Sequence, residues 1–207
     1  PERSGLFAFL NTNKTSVTLD LTSEAGVATL AKLLEQVDAV IDDHPPGWLE
    51  SIGLDPATVP TTHPALILCA ITPFGQSPPD DRLHAVDLTV FHASGWGYHT
   101  PSASDGTLPP LKGAGRFLAS YEAGLEGAMC VAACLHGRDR TGKGQVIDIS
   151  AQAVMAGRVD YVLGPMIAGD QDVGTDRTQF DLGGPAGIFA CRQGYAYIWM
   201  SSPAHWQ

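Results

Sequence analysis

Three groups of residues in this chain carry side chains able to do chemistry. The first is Ser120 with Glu122, at the opening of a run of small and apolar residues over 119–136. A helix N-terminus stabilises negative charge and can hold an anionic intermediate. The same two residues also suit plain capping, with Ser120 as N-cap and Glu122 as a first-turn acid. The second group is Asp42-Asp43-His44-Pro45-Pro46-Gly47. Adjacent carboxylates beside an imidazole suggest acid/base or metal work. No further ligands are spaced to complete a metal site, so no metal is expected and solvated or capping acids are the plainer reading. The third is Asn11-Thr12-Asn13-Lys14. Its amides shape a turn, and Lys14 is placed to meet a phosphate.

Periodicity supplies the elements that must position these groups. Residues 15–20 alternate as a strand does, with Val17 and Leu19 on one face. Thr22 or Ser23 caps a helix in which Val27, Leu30, Leu34 and Val37 recur at helical steps. Residues 39–41 form a short apolar strand, which makes a strand–helix–strand unit. Residues 48–53 suit one helical turn. The continuous apolar run 66–71 predicts a strand covered on both faces. Ligands in open α/β sheets bind beyond the carboxyl ends of strands, which points to the loops 42–47 and 72–76. Residues 87–94 predict a helix and 98–114 a loop. Residues 119–136 predict a helix buried on most sides, with Gly124 and Gly127 allowing close approach. A basic turn at 138–144, a strand at 146–149, a helix at 151–166, an irregular stretch at 169–187 and a strand at 195–200 follow. The expected class is α/β, a parallel sheet with flanking helices, with a larger domain over 1–165 and the start of a smaller one over 166–207.

Composition sets bounds. The 207 residues are 44% hydrophobic and 16% charged, enough to bury a core. The formal charge is 12 − 22 = −10, which disfavours bulk nucleic-acid binding. Arg138, Arg140 and Lys143 read as a solvated turn. GxGxxG and GxxxxGK[ST] phosphate loops do not occur. Cys69, Cys130, Cys134 and Cys191 lack metal or redox spacing and read as buried small hydrophobes in a reducing compartment. Residues 1–10 do not resemble a signal peptide, and no uninterrupted apolar run reaches the ~20 residues of a span. A soluble cytoplasmic protein is expected. The opening at Pro1 and the close at Gln207 suggest a piece of something longer.

Taken in order, NTNKTSVTLDL, DAVIDDHPPGWLESIGL, ALILCAITPFGQ, VDLTVFHASG and AGLEGAMCVAACLHGRDRTGKGQVIDIS resemble the class III CoA-transferases. That family includes formyl-CoA transferase, carnitine CoA-transferase and the alpha-methylacyl-CoA racemases. The resemblance covers nearly the whole chain. It implies a Rossmann-like domain without the dinucleotide glycine motif, part of a smaller domain, and two chains interlocked as a dimer. It also implies acyl-CoA and carboxylic acid as substrates. In such enzymes an aspartate attacks the thioester, and a glycine loop shields the reactive intermediates from water.

Residue by residue, the resemblance places Asp43, His44, Pro46 and Gly47, followed by Ser51 and Ile52, on the CoA-binding loop. Asn11, Asn13 and Lys14 fall on a second wall of the nucleotide site. Phe74 and Gly75 match the strand-end loop, Asp87 an acidic position near the active site, and Gly183 and Gly184 the glycine loop. Four departures follow. The family's catalytic aspartate, counted back from Gly124 and Arg140, corresponds to Ser120, and a hydroxyl cannot form the anhydride. Glu122 lies about 200° around the helix from it. A family arginine is replaced by Ser51 and a lysine by His84, and Asp43-His44 stand for Asn-Phe. The racemase histidine is Val86. Three readings result: a CoA-transferase with an altered site, a catalytically degenerate half of a tandem enzyme, or a racemase-like enzyme using Glu122 or Asp87 as base.

Overall fold

A computed structural model describes residues 4–78, 85–99, 116–159, 164, 167–169, 186–200 and 204. The chain divides into two compact units, Pro1–Asp38 and Ala39–Gln207.

The first unit holds two helices. Helix α1, Gly5–Leu10, is capped by Ser4, whose Oγ accepts from the Phe7 amide at 3.2 Å. Helix α2, Glu24–Leu34, is capped by Ser23, whose Oγ accepts from the Gly26 amide at 3.1 Å. The cap is the expected one, with Glu24 in the first turn where the helix dipole favours an acid. Gly26 is required here, because a Cβ would run into the Asp20 carbonyl oxygen. The strand expected over 15–20 is not present. An alternating pattern becomes a strand only beside a partner; this segment has none among the described residues, and Val17 is exposed.

The second unit is built on a parallel sheet of order β1-β2-β3: Ala39–Asp42, Ile67–Thr72 and Val146–Ser150. In register, Asp42 lies opposite Ala70 and Thr72 opposite Ser150. The central strand is the apolar run expected to be covered on both faces, and Ile67, Leu68, Cys69 and Ala70 are buried. Short helices α3, Trp48–Ser51, and α4, Val59–Thr62, connect β1 to β2. Helices α5, Asp87–Ala93, α6, Trp96–His99, and α7, Leu118–Thr141, lie between β2 and β3 in sequence. Helix α8, Ala151–Gly157, follows β3 directly, with Ser150 Oγ accepting from the Ala153 amide at 3.3 Å. Ile67, Cys69, Val90, Phe91, Ala119, Ala123, Ile149 and Met155 form the core where α5, α7 and α8 meet the sheet. The hairpin β4, Ala186–Ala190, with β5, Tyr195–Trp199, is a separate antiparallel sheet; β4 begins within the stretch expected to be irregular.

Helix α7 departs from expectation in two ways. It continues through Arg138–Thr141, expected as a turn, and ends at Gly142 with φ +70°. It is also buried along one stripe only, Ala119, Ala123, Gly127 and Val131, while Leu125 and Met129 are exposed. Small residues around a helix permit burial without enforcing it. By length and composition α7 meets the test for a membrane span, a test that core helices also meet. Gly127 does allow close approach, since a Cβ there would lie 3.0 Å from Ile71 Cδ1; Gly124 has nothing within 4 Å. Cys69 is buried as expected, but Cys130 and Cys134 are half-buried and Cys191 is exposed. Helix α8 ends at Gly157, and Arg158 and Val159 form a turn, while residue 164 is again helical; the rest of the helix expected to 166, with the 165/166 boundary, lies outside the described residues.

Candidate functional site

A cavity of about 520 Å³ opens at the carboxyl ends of β1 and β2, against the first turns of α5 and α7. Its wall is mostly apolar, with Ile41, Ile71, Pro73, Val86 and Ala123 among its lining residues. The polar side chains in it are Asp43, Thr72, Asp87 and Ser120. Among the described residues, no lining residue is basic.

Asp87 begins α5 and reaches the first turn of α7. Its Oδ2 accepts from the Ser120 amide at 2.8 Å and from Ser120 Oγ at 2.7 Å, and its Oδ1 accepts from the Ala119 amide at 3.3 Å. The first amides of a helix have no intrahelical acceptor. Asp87 thus caps α7 from another element, a role that the residue before α7, Phe117, does not fill by side chain. This binds together the two helices that bracket the cavity. Ser120 serves as donor to Asp87 rather than as the N-cap expected of it.

Thr72, the last residue of β2, is only 2% exposed, and its Oγ1 has no hydrogen-bond partner among the described residues. The loop after it is fixed. The Gln76 amide donates to Asp148 Oδ1 and Oδ2 at 3.2 and 3.1 Å, and Gln152 N donates to the Pro73 carbonyl at 3.0 Å. Gly75 turns the chain with φ +88°.

At the tip of β1, Asp43 lines the cavity from an exposed position. Buried Asp42 points elsewhere: its Oδ1 lies 2.6 Å from His44 Nδ1, and its Oδ2 accepts from the His44 amide at 3.2 Å. The His44 ring stacks on Trp48, centroids 3.6 Å apart and planes 10° apart. The loop 42–48 is therefore held by its own side chains. Gly47 gives its turn with φ +88°, Ser51 Oγ donates to the Trp48 carbonyl at 2.6 Å, and Ile52 is buried.

Of the residues singled out from sequence, the structure brings Asp43, Asp87 and Ser120 to one cavity. His44, Pro46, Gly47, Ser51, Ile52, Phe74 and Gly75 lie on or beside the two strand-end loops but do not line it. Glu122 does not line it either; its Oε2 takes the Arg158 Nε at 3.1 Å. Arg158 also approaches Glu126 at 3.7 Å. Asn11 and Lys14 belong to the first unit, where Asn11 Nδ2 donates to the Phe7 carbonyl at 2.9 Å and Lys14 Nζ to Asn11 Oδ1 at 3.1 Å. Asn13 there has φ +60°, so this turn is shaped as the amides suggested. His84, Gly183 and Gly184 lie outside the described residues. Among the described residues no group of three or more His, Cys, Asp or Glu could hold a metal ion. Thr72 was not singled out from sequence; its position at the end of a covered strand was the available signal.

Comparison with known proteins places this arrangement in context. Residues 1–207 match the family described as CoA-transferase family III. The chain is 34% identical over 137 residues to the succinyl-CoA–L-malate CoA-transferase alpha subunit of Chloroflexus aurantiacus, covering 66% of this chain and 31% of that protein. It is 31% identical over 149 residues to the cinnamoyl-CoA:phenyllactate CoA-transferase of Clostridium sporogenes, covering 72% and 35%. Among solved structures, a CAIB/BAIF family protein from Brucella suis superposes with TM-score 0.68 at 26% identity, covering 89% of this chain and 48% of that one. The Mycobacterium tuberculosis protein Rv3272 superposes with TM-score 0.75 at 26% identity, covering 95% and 51%. The chain thus spans about a third of the length of these curated relatives and half that of these structures.

Proposed function

The chain belongs to CoA-transferase family III, and from that premise we propose that it takes an acyl-CoA and moves CoA to a carboxylic acid. The cavity between the strand tips and α7 receives the acyl thioester. The observation that carries this reading is the meeting of Asp43, Asp87 and Ser120 around an apolar space at the carboxyl ends of parallel strands. That is where α/β folds bind ligands.

The chemistry needs a carboxylate that is both nucleophile and leaving group. Position 120 supplies only a hydroxyl, so the role passes to Asp87. Two donors hold its Oδ2, while Oδ1 has one long contact of 3.3 Å and keeps lone pairs for attack. Oδ1 adds to the thioester carbonyl carbon; the C–S bond breaks and CoA leaves as thiolate. The thiolate attacks the Asp87 carboxyl carbon of the resulting anhydride and expels the donor acid. The acceptor carboxylate then displaces CoA from Asp87. A last attack by thiolate on the acceptor acyl carbon restores the Asp87 carboxylate. Each step moves one acyl group and leaves total charge unchanged. Assembly with a second copy or a tandem partner is part of this proposal, supported by the exposed apolar residues Leu125 and Met129 on α7.

A second reading rests on the same hydrogen bonds. Asp87 is engaged as the cap of α7, and Ser120 stands where the resemblance expects an aspartate, which favours a chain that serves the structure of a larger enzyme. Mass spectrometry after incubation with succinyl-CoA and borohydride separates the two. Reduction of an aspartyl thioester leaves a residue 14 Da lighter than aspartate, by ordinary chemical mass arithmetic of about that size. Its appearance at Asp87 supports the transferase reading. CoA binding without any such residue supports the structural one.

A further inference from the structure

The hydrogen bonds of Asp87 make its two oxygens unequal. Oδ2 accepts from the Ser120 amide at 2.8 Å and from Ser120 Oγ at 2.7 Å, while Oδ1 takes the Ala119 amide at 3.3 Å. Both short bonds come from one residue in the first turn of α7, a helix of 24 residues. The N-terminal end of such a helix carries partial positive charge. Asp87 and Ser120 both line the cavity.

In the reaction proposed above, on which this inference rests, Oδ1 bonds to the acyl carbon and becomes the bridging oxygen of the anhydride. Oδ2 is then the carbonyl oxygen left on Asp87. When CoA thiolate attacks the Asp87 carboxyl carbon, the C–O π electrons move to Oδ2, which takes the negative charge. Collapse expels the donor acid together with Oδ1 and leaves Oδ2 on the aspartyl thioester. Attack by the acceptor carboxylate puts the charge on Oδ2 a second time before CoA thiolate leaves. Charge thus develops twice on an oxygen that already has two donors at 2.7 and 2.8 Å, the separation at which donors stabilise an oxyanion. They hold the oxyanion more strongly than the neutral carbonyl oxygen that precedes it, so they lower the barrier as well as fixing the group. We infer that Ser120, through its hydroxyl and its amide, is the oxyanion donor for the reacting carboxyl of Asp87.

Rapid-quench kinetics on the full chain tests this. Succinyl-CoA is mixed with protein, borohydride stops the reaction, and the reduced residue at Asp87 is measured by mass spectrometry against time. Ser120→Ala should form it about a hundredfold more slowly at saturating succinyl-CoA, with the half-saturating concentration unchanged. Ser120→Thr keeps a hydroxyl and should recover most of the rate. Formation at the wild-type rate in Ser120→Ala overturns the inference. Equal slowing in Ser120→Thr and Ser120→Ala also overturns it, because the hydroxyl is then not the group that matters. So does a change confined to the half-saturating concentration, which marks lost binding rather than lost transition-state stabilisation. In these three cases the reduced residue still forms in wild type, and the transferase reading stands. Its absence from wild type removes both the inference and the reading beneath it.

Discussion

Removing the Asp87 side chain tests how the cavity is assembled. Asp87→Ala deletes the acceptor for the Ala119 amide, the Ser120 amide and the Ser120 hydroxyl. Loss of a helix cap costs about 1 kcal/mol. The Ala119 amide sits on a buried residue, so leaving it without an acceptor adds about 1 kcal/mol or somewhat more. The sum is about 2–3 kcal/mol, which for a chain of this size lowers Tm by roughly 5–10 °C. Asp87→Asn keeps the shape and one acceptor oxygen, and should cost about half as much. Asp43→Ala is the control: Asp43 is exposed, so its loss should stay within about 0.5 kcal/mol. Urea denaturation followed by circular dichroism reads all three. If Asp87→Ala falls within 0.5 kcal/mol of wild type, the carboxylate does not cap α7, and the account of how α5 and α7 are joined is wrong.

Other perturbations have definite expected outcomes. Gly127→Val places a branched side chain where even a Cβ lies 3.0 Å from Ile71 Cδ1, so it should destabilise by about 1–3 kcal/mol in a denaturation curve. Gly124→Ala, with open space at its Cβ, should stabilise by up to about 1 kcal/mol. Burial, followed by the nearby Cys130, Cys134 and Asp148, pushes the Cys69 thiol up to about 11. At pH 8 a thiol reagent should therefore label exposed Cys191 and spare Cys69 until the chain unfolds. Because the folded value lies above the usual 9.0, the stability linked to Cys69 is complete below pH 9 and is lost as pH rises through about 11. Leu125→Glu, on the exposed face of α7, should leave a monomer's stability within about 0.5 kcal/mol but lower the molecular mass seen by light scattering if α7 forms the assembly face.

Much of the second unit was legible because its signals are local. The run 66–71 is apolar throughout, as a strand covered on both faces must be, and in the first unit Ser23 caps α2 where a hydroxyl precedes helical spacing. The strand-end rule located the cavity through loops 42–47 and 72–76. What failed to show is what depends on partners distant in sequence. Residues 15–20 alternate correctly yet form no strand, because pairing is not encoded in one segment. The outward face of α7 could not be told from its inward face, since Ala, Gly and Cys suit both. Asp87 as the cap of a helix more than thirty residues away, and Glu122 drawn to Arg158, are tertiary facts. The sequence showed that Ser120 departs from the family pattern; it did not show that Ser120 would be bonded to the carboxylate nearest to it.

The central claim is that this cavity receives the acyl end of an acyl-CoA. An acyl-CoA bearing a diazirine on its acyl chain tests that directly, by irradiation of the complex and mapping of crosslinked peptides. The account predicts crosslinks to Ile41, Ile71, Val86 or Ala123, suppressed by excess acetyl-CoA. Competable crosslinks confined to residues outside the cavity wall would contradict it.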